Sequence, residues 1–362
     1  MKEKLRNIIE TKNIDAILIT DPYNLRYYTG FRGGEGIAVV TRSNAYLITD
    51  SRYTEAATKE SDFDVIEFNI KNPMKNILND IIDKNAIKAI GFEDLSISYD
   101  GYRKYKEIFE NAENPSGENI RKMLPLGNEL LVPRQIKTAK EIELLRTAEH
   151  IGDMAFEDIL GLLKPGMTEL EVAAEIEYSM KKHGAEGLSF DTIAASGKNS
   201  SMPHAIPSEK KLENGDFLTM DFGCIYKGYC SDMTRTVCIG KASDEQKRIY
   251  NIVLSAQLSV LENLKPGMIC KDVDRIARDY ITAQGYGDYF GHGLGHGVGL
   301  YIHESPAFNT RDTTIVKPGM IETDEPGIYL PDKFGVRIED MILITEDGCE
   351  SLAKSPKELI EV

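Results

Sequence analysis

Four short runs in the second half of this 362-residue chain carry acids that could share one site. MDFG holds Asp221, SDMTRT holds Asp232, DEPG holds Glu325 and RIED holds Glu339. Like charges a few ångströms apart raise one another's pKa steeply, so four converging carboxylates stay ionised only beside cations. Metal is the economical counter-charge. A single histidine would complete an oxygen-rich site with one imidazole. GHGLGHGVG (291–299) offers it from His292 or His296, with flanking glycines that let the backbone pass close to an ion. Such a donor set suits Mn²⁺ or Co²⁺, tolerates Zn²⁺ or Fe²⁺, and lacks the thiolates of a structural zinc site. Five ligands including four carboxylates can bridge two ions about 3.5–4 Å apart, lowering the pKa of a shared water and clamping the attacking and developing oxygens. Hydrolysis follows from that arrangement.

Three further histidines lie among turns, where a core histidine has little to pack against: His204 in SMPHAIP, His292, and His303 in HESP. Imidazoles at such positions could polarise a carbonyl and stabilise its oxyanion, worth about 10²–10³-fold per good donor. His150 and His183 sit on helical stretches and are expected at the surface.

The elements that must position these residues come from an internal repeat. LKPGM (163–167) recurs as LKPGM (264–268), each followed by an amphipathic stretch that stops at glycine, Gly184 or Gly285. GDFLTMD (215–221) aligns with GMIETDE (319–325), and GYCSD (228–232) with GVRIE (335–339). Duplication predicts two α/β halves related by a pseudo-two-fold axis, with Asp221 facing Glu325 and Asp232 facing Glu339. Asp221 and Asp232 are expected on a hairpin turning at Tyr226–Gly228. An amphipathic helix over 139–163 should open this domain and pack on a sheet.

The first ~125 residues alternate strand-like and helix-like segments, with strands expected at 14–20, 36–41, 45–49 and 65–68 and a hairpin turn at TRSN. SRYTEAA reads as a solvent-facing helix start at Arg52 and Tyr53. The polar stretch NAENPSGEN (111–119) marks a domain break, placed near residue 126, giving domains 1–126 and 127–362. The first shows no metal or nucleophile signature.

Composition narrows the partners. With 43 Lys+Arg against 58 Asp+Glu the net charge is −15, which repels nucleic acid and anionic lipid surfaces. Nowhere do about 18 apolar residues run together, and the amino-terminal residues build no secretory apolar core, so a cytoplasmic protein without membrane partners is expected. The five cysteines form no C-x-x-C pair and read as buried thiols.

The ordered set MDFG, SDMTRT, GHGLGHGVG, HESP, DEPG and GVRIED resembles the metal-dependent peptidases of the pita-bread fold, in particular aminopeptidase P and prolidase. DPYNLRYYTGF (21–31) and LITDSRYTEAA (47–57) resemble the N-terminal domain of the same group, so the resemblance spans nearly the whole chain. It implies a two-domain α/β chain, a creatinase-like α/β domain followed by a duplicated α+β pita-bread domain. By that resemblance Asp221 chelates one ion, Asp232 and Glu339 bridge the pair, and His296 and Glu325 complete the other. His204 and His303 bind the scissile carbonyl or tetrahedral intermediate, and His292 lines the substrate pocket. Glu325 also serves as general base while a metal-bridging hydroxide attacks, and Arg337 touches the ligand shell. The activity implied is removal of the residue ahead of proline by an Xaa-Pro aminopeptidase. The cofactors are two divalent ions, Mn²⁺ first and Co²⁺ or Zn²⁺ next, the substrates short peptides with proline second, the assembly a homodimer. Prolidase is the runner-up, set back because AFN follows HESP where some prolidases carry an arginine-containing segment that holds a substrate carboxylate. Asp324 stands where many relatives carry an apolar residue and should point away from the metals. A pita-bread binding protein without catalysis should have lost ligands or accessory histidines; all are present here.

Overall fold

A computed structural model describes residues 1–110 and 121–362, so the polar break at 111–119 lies outside the described residues. The chain divides into two compact units, Met1–Arg134 and Gln135–Val362. The division falls after residue 126 because the following residues stay tied to the first unit. The Tyr28 hydroxyl donates to the Leu130 carbonyl at 2.9 Å, Leu130 is buried, and Arg134 Nη1 donates to Asn24 Oδ1 at 2.8 Å.

The first unit is built on a six-stranded sheet in the order Asp64–Glu67, Ala45–Thr49, Ile37–Thr41, Ala16–Ile19, Ala89–Phe92, Lys122–Pro125. The runs AILI and AYLIT are buried at every position, as strands covered on both faces must be. Asn44 N donates to Thr41 Oγ1 at 2.9 Å and closes the expected hairpin turn. The Met74–Lys84 helix lays Ile77, Leu78, Ile81 and Ile82 against Leu18, Val39 and Ile48. Each such side chain stabilises the sheet by roughly 1.5–3 kcal/mol. Arg52 is exposed and Tyr53 is the N-cap of the Thr54–Glu60 helix, as its sequence suggests.

The second unit contains the same arrangement twice. In its first half the helices Ala139–Leu160 and Glu169–Lys182 pack together over three antiparallel strands, Ile193–Ser196, Phe217–Phe222 and Met233–Cys238. In its second half Asp244–Asn263 and Cys270–Ala283 pack together beside Gly295–Gly297, Ile321–Asp324 and Asp340–Ile344, which pair antiparallel in the same order. Thr138 opens the first helix with a capping box: Thr138 N donates to Glu141 Oε2 at 2.7 Å, and Glu141 N to Thr138 Oγ1 at 3.3 Å. That helix buries Ala148, Ile151, Ala155 and Ile159 against Leu218, Met220, Phe222 and Val237 of the sheet. The repeated Pro-Gly turns have a conformational cause. Gly166 and Gly267 sit at φ +94° and +93°, where a side chain is strained, and proline sets the preceding φ.

All five cysteines are free thiols, and four of them are fully buried. No helix among the described residues is long and apolar enough to cross a membrane.

Candidate metal centre and substrate cavity

All eight residues selected from sequence line one cavity of about 870 Å³: Asp221, Asp232, His296, Glu325, Glu339, His204, His292 and His303. Asp221 lies on the Phe217–Phe222 strand opposite Thr234, and Asp232 just precedes the partner strand. The hairpin joining them bends sharply at Gly223, where an added Cβ would fall 1.9 Å from the Ser231 carbonyl oxygen. Its tip at Lys227 and Gly228 turns with φ +46° and +83°. Glu325 and Glu339 arrive from the other half, fixed through their backbones: Glu325 N donates to Leu294 O at 2.9 Å and Glu339 N to Thr234 O at 3.1 Å.

Ligand atoms of Asp232, His296 and Glu339 all lie within 4.8 Å of one another. His296 Nε2 is 3.5 Å from Asp232 Oδ2 and 3.6 Å from Glu325 Oε1. Its Nδ1 lies 3.2 Å from the Gly297 carbonyl, which assigns the proton to Nδ1 and turns the lone pair of Nε2 toward the acids. Burial, and then the neighbouring His303, push His296 down to about 4, so the ring is neutral near pH 7. Asp221 offers Oδ1, which is buried and has no hydrogen-bond partner among the described residues, while its Oδ2 accepts from Arg337. Burial and then the crowd of acids raise Asp232 and Glu339 well above the carboxylate range, and Glu325 is pushed up to about 8, chiefly by burial. These groups fit divalent cations: oxygen donors in excess, one neutral imidazole with its second nitrogen bonded to a carbonyl, and a deficit of positive charge.

One reading of the sequence changes here. Gly295 makes room for a neighbouring strand rather than for an ion, since a Cβ there would fall 1.9 Å from the Thr323 carbonyl oxygen. His292 lines the cavity with both ring nitrogens engaged: Nδ1 lies 2.8 Å from the Gly293 carbonyl and Nε2 2.9 Å from the Tyr329 hydroxyl. Burial, and then the Arg337 charge, hold it near pKa 4. His303 packs edge-on to His296 with ring centroids 4.5 Å apart, and burial lowers its pKa while Asp221 opposes that shift. His204 lies exposed on the cavity wall.

Sequence reasoning put Arg337 beside the acids but missed the network it joins. Arg337 is buried and donates to Asp221, to the Tyr329 hydroxyl at 2.8 Å and to Thr234 Oγ1 at 3.0 Å; Thr234 in turn donates to Glu339 Oε2 at 2.5 Å. Tyr329 and Thr234 carry no spacing signal, because their partners lie across a fold. Arg311 was missed too, four residues beyond AFN's alanine. It lines the cavity, and its guanidinium has no ion pair or hydrogen bond among the described residues. The other two arginines there are committed, Arg337 as above and Arg278 to Asp274 and to the carbonyls of Phe290 and His292. Asp324 does not line the cavity. It is fully buried opposite Asp340, and neither of its oxygens has a hydrogen-bond partner among the described residues.

The two halves and their convergent acids define a pita-bread hydrolase, and the chain belongs to metallopeptidase family M24, whose model matches residues 143–346, with a creatinase/prolidase N-terminal domain over residues 1–123. It is 40% identical to an Xaa-Pro dipeptidase of Pyrococcus furiosus, over 99% of this chain and 100% of that one. Among solved structures it resembles an Xaa-Pro dipeptidase from Bacillus anthracis, with TM-score 0.94 and 42% identity, covering 100% of this chain and 99% of that one. It also resembles an X-Pro aminopeptidase from Thermotoga maritima, with TM-score 0.90 and 39% identity, covering 100% and 99%.

Proposed function

We propose that this chain is an Xaa-Pro dipeptidase that holds two divalent ions with Asp221, Asp232, His296, Glu325 and Glu339. The observation that carries the reading is the meeting, in one cavity, of this donor set with the uncommitted guanidinium of Arg311. A dipeptide presents its carboxylate one residue beyond the scissile bond, and a guanidinium is the side chain best suited to pair with it. The expected order of the two activities therefore reverses, with dipeptidase first and aminopeptidase second. The names of relatives at 40–42% identity support that order. The aminopeptidase reading keeps support from the Thermotoga structure.

The two ions, when bound, supply an activated water and a clamp on the carbonyl oxygen. The chain's own residues do the rest. His303 and His204 donate to the carbonyl oxygen as it gains charge. Glu325 takes a proton at a carboxylate oxygen and passes it to the proline nitrogen, which has no hydrogen of its own and leaves as an amine only once protonated. Arg337 and Thr234 fix Asp221 and Glu339, while Tyr329 fixes His292. Mn²⁺ is the first candidate ion, with Co²⁺ and Zn²⁺ next, and the enzyme acts as a cytoplasmic homodimer.

The test is a panel of Xaa-Pro dipeptides, Xaa-Pro-Yaa tripeptides and Xaa-Ala controls offered to metal-stripped protein before and after Mn²⁺ addition. Mn²⁺-stimulated cleavage of the Xaa-Pro dipeptides is expected. Cleavage of tripeptides alone would move the assignment to aminopeptidase. No stimulated cleavage of any proline peptide would reject both.

A further inference from the structure

The HESP run contains a second charged residue that the reaction leaves idle. Glu304 is the register partner of Gly297 across the hairpin that joins the His296 strand to the Glu304–Phe308 strand, beside a bulge between His296 and Gly297. Its Oε1 accepts from Tyr301 N at 3.0 Å. Its carboxylate also fills the inside of the connecting turn, since a Cβ on Gly299 would come within 2.7 Å of both carboxylate oxygens. The turn so closed, 298–303, has His296 close before one end and His303 at the other.

The opposite side of this carboxylate is held from within. Lys137 Nζ lies 4.0 Å from Glu304 Oε2, with the two side chains 2% and 7% exposed. Gly297 pairs on its other side with Glu322, which is fully buried. Three strands thus present the row Glu304, Gly297, Glu322 on one face, with a gap where glycine has no side chain. Lys137 is the cation of this row. Among the described residues its ammonium has no hydrogen-bond partner, and neither have the carboxylate oxygens of Glu322. Burial raises the Glu322 carboxyl well above its usual range, so the Lys137 ammonium is left to face Glu304 across 4.0 Å.

We propose that Glu304, facing Lys137, is a positioning residue that holds the 298–303 turn so that the His303 imidazole stays beside His296. The proposal rests on the role given above to His303. Glu304 touches no reacting atom, so its removal should act through His303 and leave the donor set in place.

A double-mutant cycle on an Xaa-Pro dipeptide tests it, using wild type, E304A, H303A and the double variant. E304A is expected to lower kcat about 30-fold with little change in KM or in bound metal, E304Q, which keeps an acceptor for Tyr301 N, to stay within about 3-fold of wild type, and E304A to cost under about 2-fold once His303 is gone. An equal cost in both backgrounds, or loss of metal together with kcat, would overturn the proposal. If H303A leaves kcat unchanged, the role of His303 falls, and this inference with it. Should E304A not fold, E304D, which keeps the charge but is one methylene too short to hold Tyr301 N, is carried through the same cycle with the same expectations.

Discussion

Arg337 Nη2 donates to Asp221 Oδ2 at 2.6 Å, with the two side chains 4% and 13% exposed. The pair crosses the second unit, joining an acid of the first half to an arginine of the second. It leaves Asp221 Oδ1 without a hydrogen-bond partner among the described residues, so under the proposed function one carboxylate would be shared between a permanent cation and an ion.

Replacing Arg337 separates charge from geometry. R337K keeps the charge and loses the fork that reaches Asp221, Tyr329 and Thr234 together. Its kcat/KM on an Xaa-Pro dipeptide should fall by about 10²-fold, because ligand positioning is lost. R337M, which leaves buried acids uncompensated, should also lower the melting temperature, by the several degrees that a broken buried pair of about 3–5 kcal/mol implies. Steady-state kinetics and thermal melts read both. A fully active R337M would remove Arg337 from the account.

Asp232 touches the donor set from the first half. D232N should bind fewer than two ions per chain and lose activity by about 10³-fold or more, because a neutral amide is a weaker cation ligand than a carboxylate. Elemental analysis of the dialysed protein measures the stoichiometry. Unchanged metal and unchanged turnover would place the centre elsewhere.

Arg311 should separate substrates by their carboxyl end. R311Q should raise KM for an Xaa-Pro dipeptide by about 10–100-fold, the worth of one charge-assisted pair, and leave the Xaa-Pro amide nearly untouched. Equal effects on acid and amide would show that Arg311 does not read the carboxylate.

Glu361 offers a pH test away from the cavity. It accepts from Lys241 Nζ and from Ala242 N, and these bonds, opposed by slight desolvation, hold its carboxyl at about 2. A folded-state pKa below the unfolded value of about 4.3 means that the native state binds fewer protons between the two. Stability from this contact is therefore fully present above about pH 4.3 and drains away as pH falls toward about 2. E361Q should melt lower than the parent at pH 7, with the difference shrinking through that window. A constant difference from pH 7 to pH 2 would contradict the assignment.

How much of this was readable beforehand depends on distance along the chain. The four acids and four histidines could be picked out because each sits in a short run of turn and strand residues, and because the repeat showed which runs correspond. The β-branched runs at 16–19, 37–41 and 45–49 announced the first sheet in the same local way. The strands Ala89–Phe92 and Lys122–Pro125 escaped notice, with glycine in one and proline ending the other. Thr234, Tyr329 and Lys137 were invisible for a different reason. Each is an ordinary residue until folding sets it against a partner: Glu339 for Thr234, His292 for Tyr329, Glu304 for Lys137. The engagement of both His292 nitrogens could not be foreseen either, since carbonyl directions are not encoded in spacing.

The five donors are divided between the halves of the second unit, Asp221 and Asp232 from one, His296, Glu325 and Glu339 from the other. On the proposed function neither half closes a coordination shell by itself. Occupancy by ions would then be linked to the integrity of the seam where Glu339 N meets Thr234 O, and whatever pries that seam open should release its cargo before any helix melts.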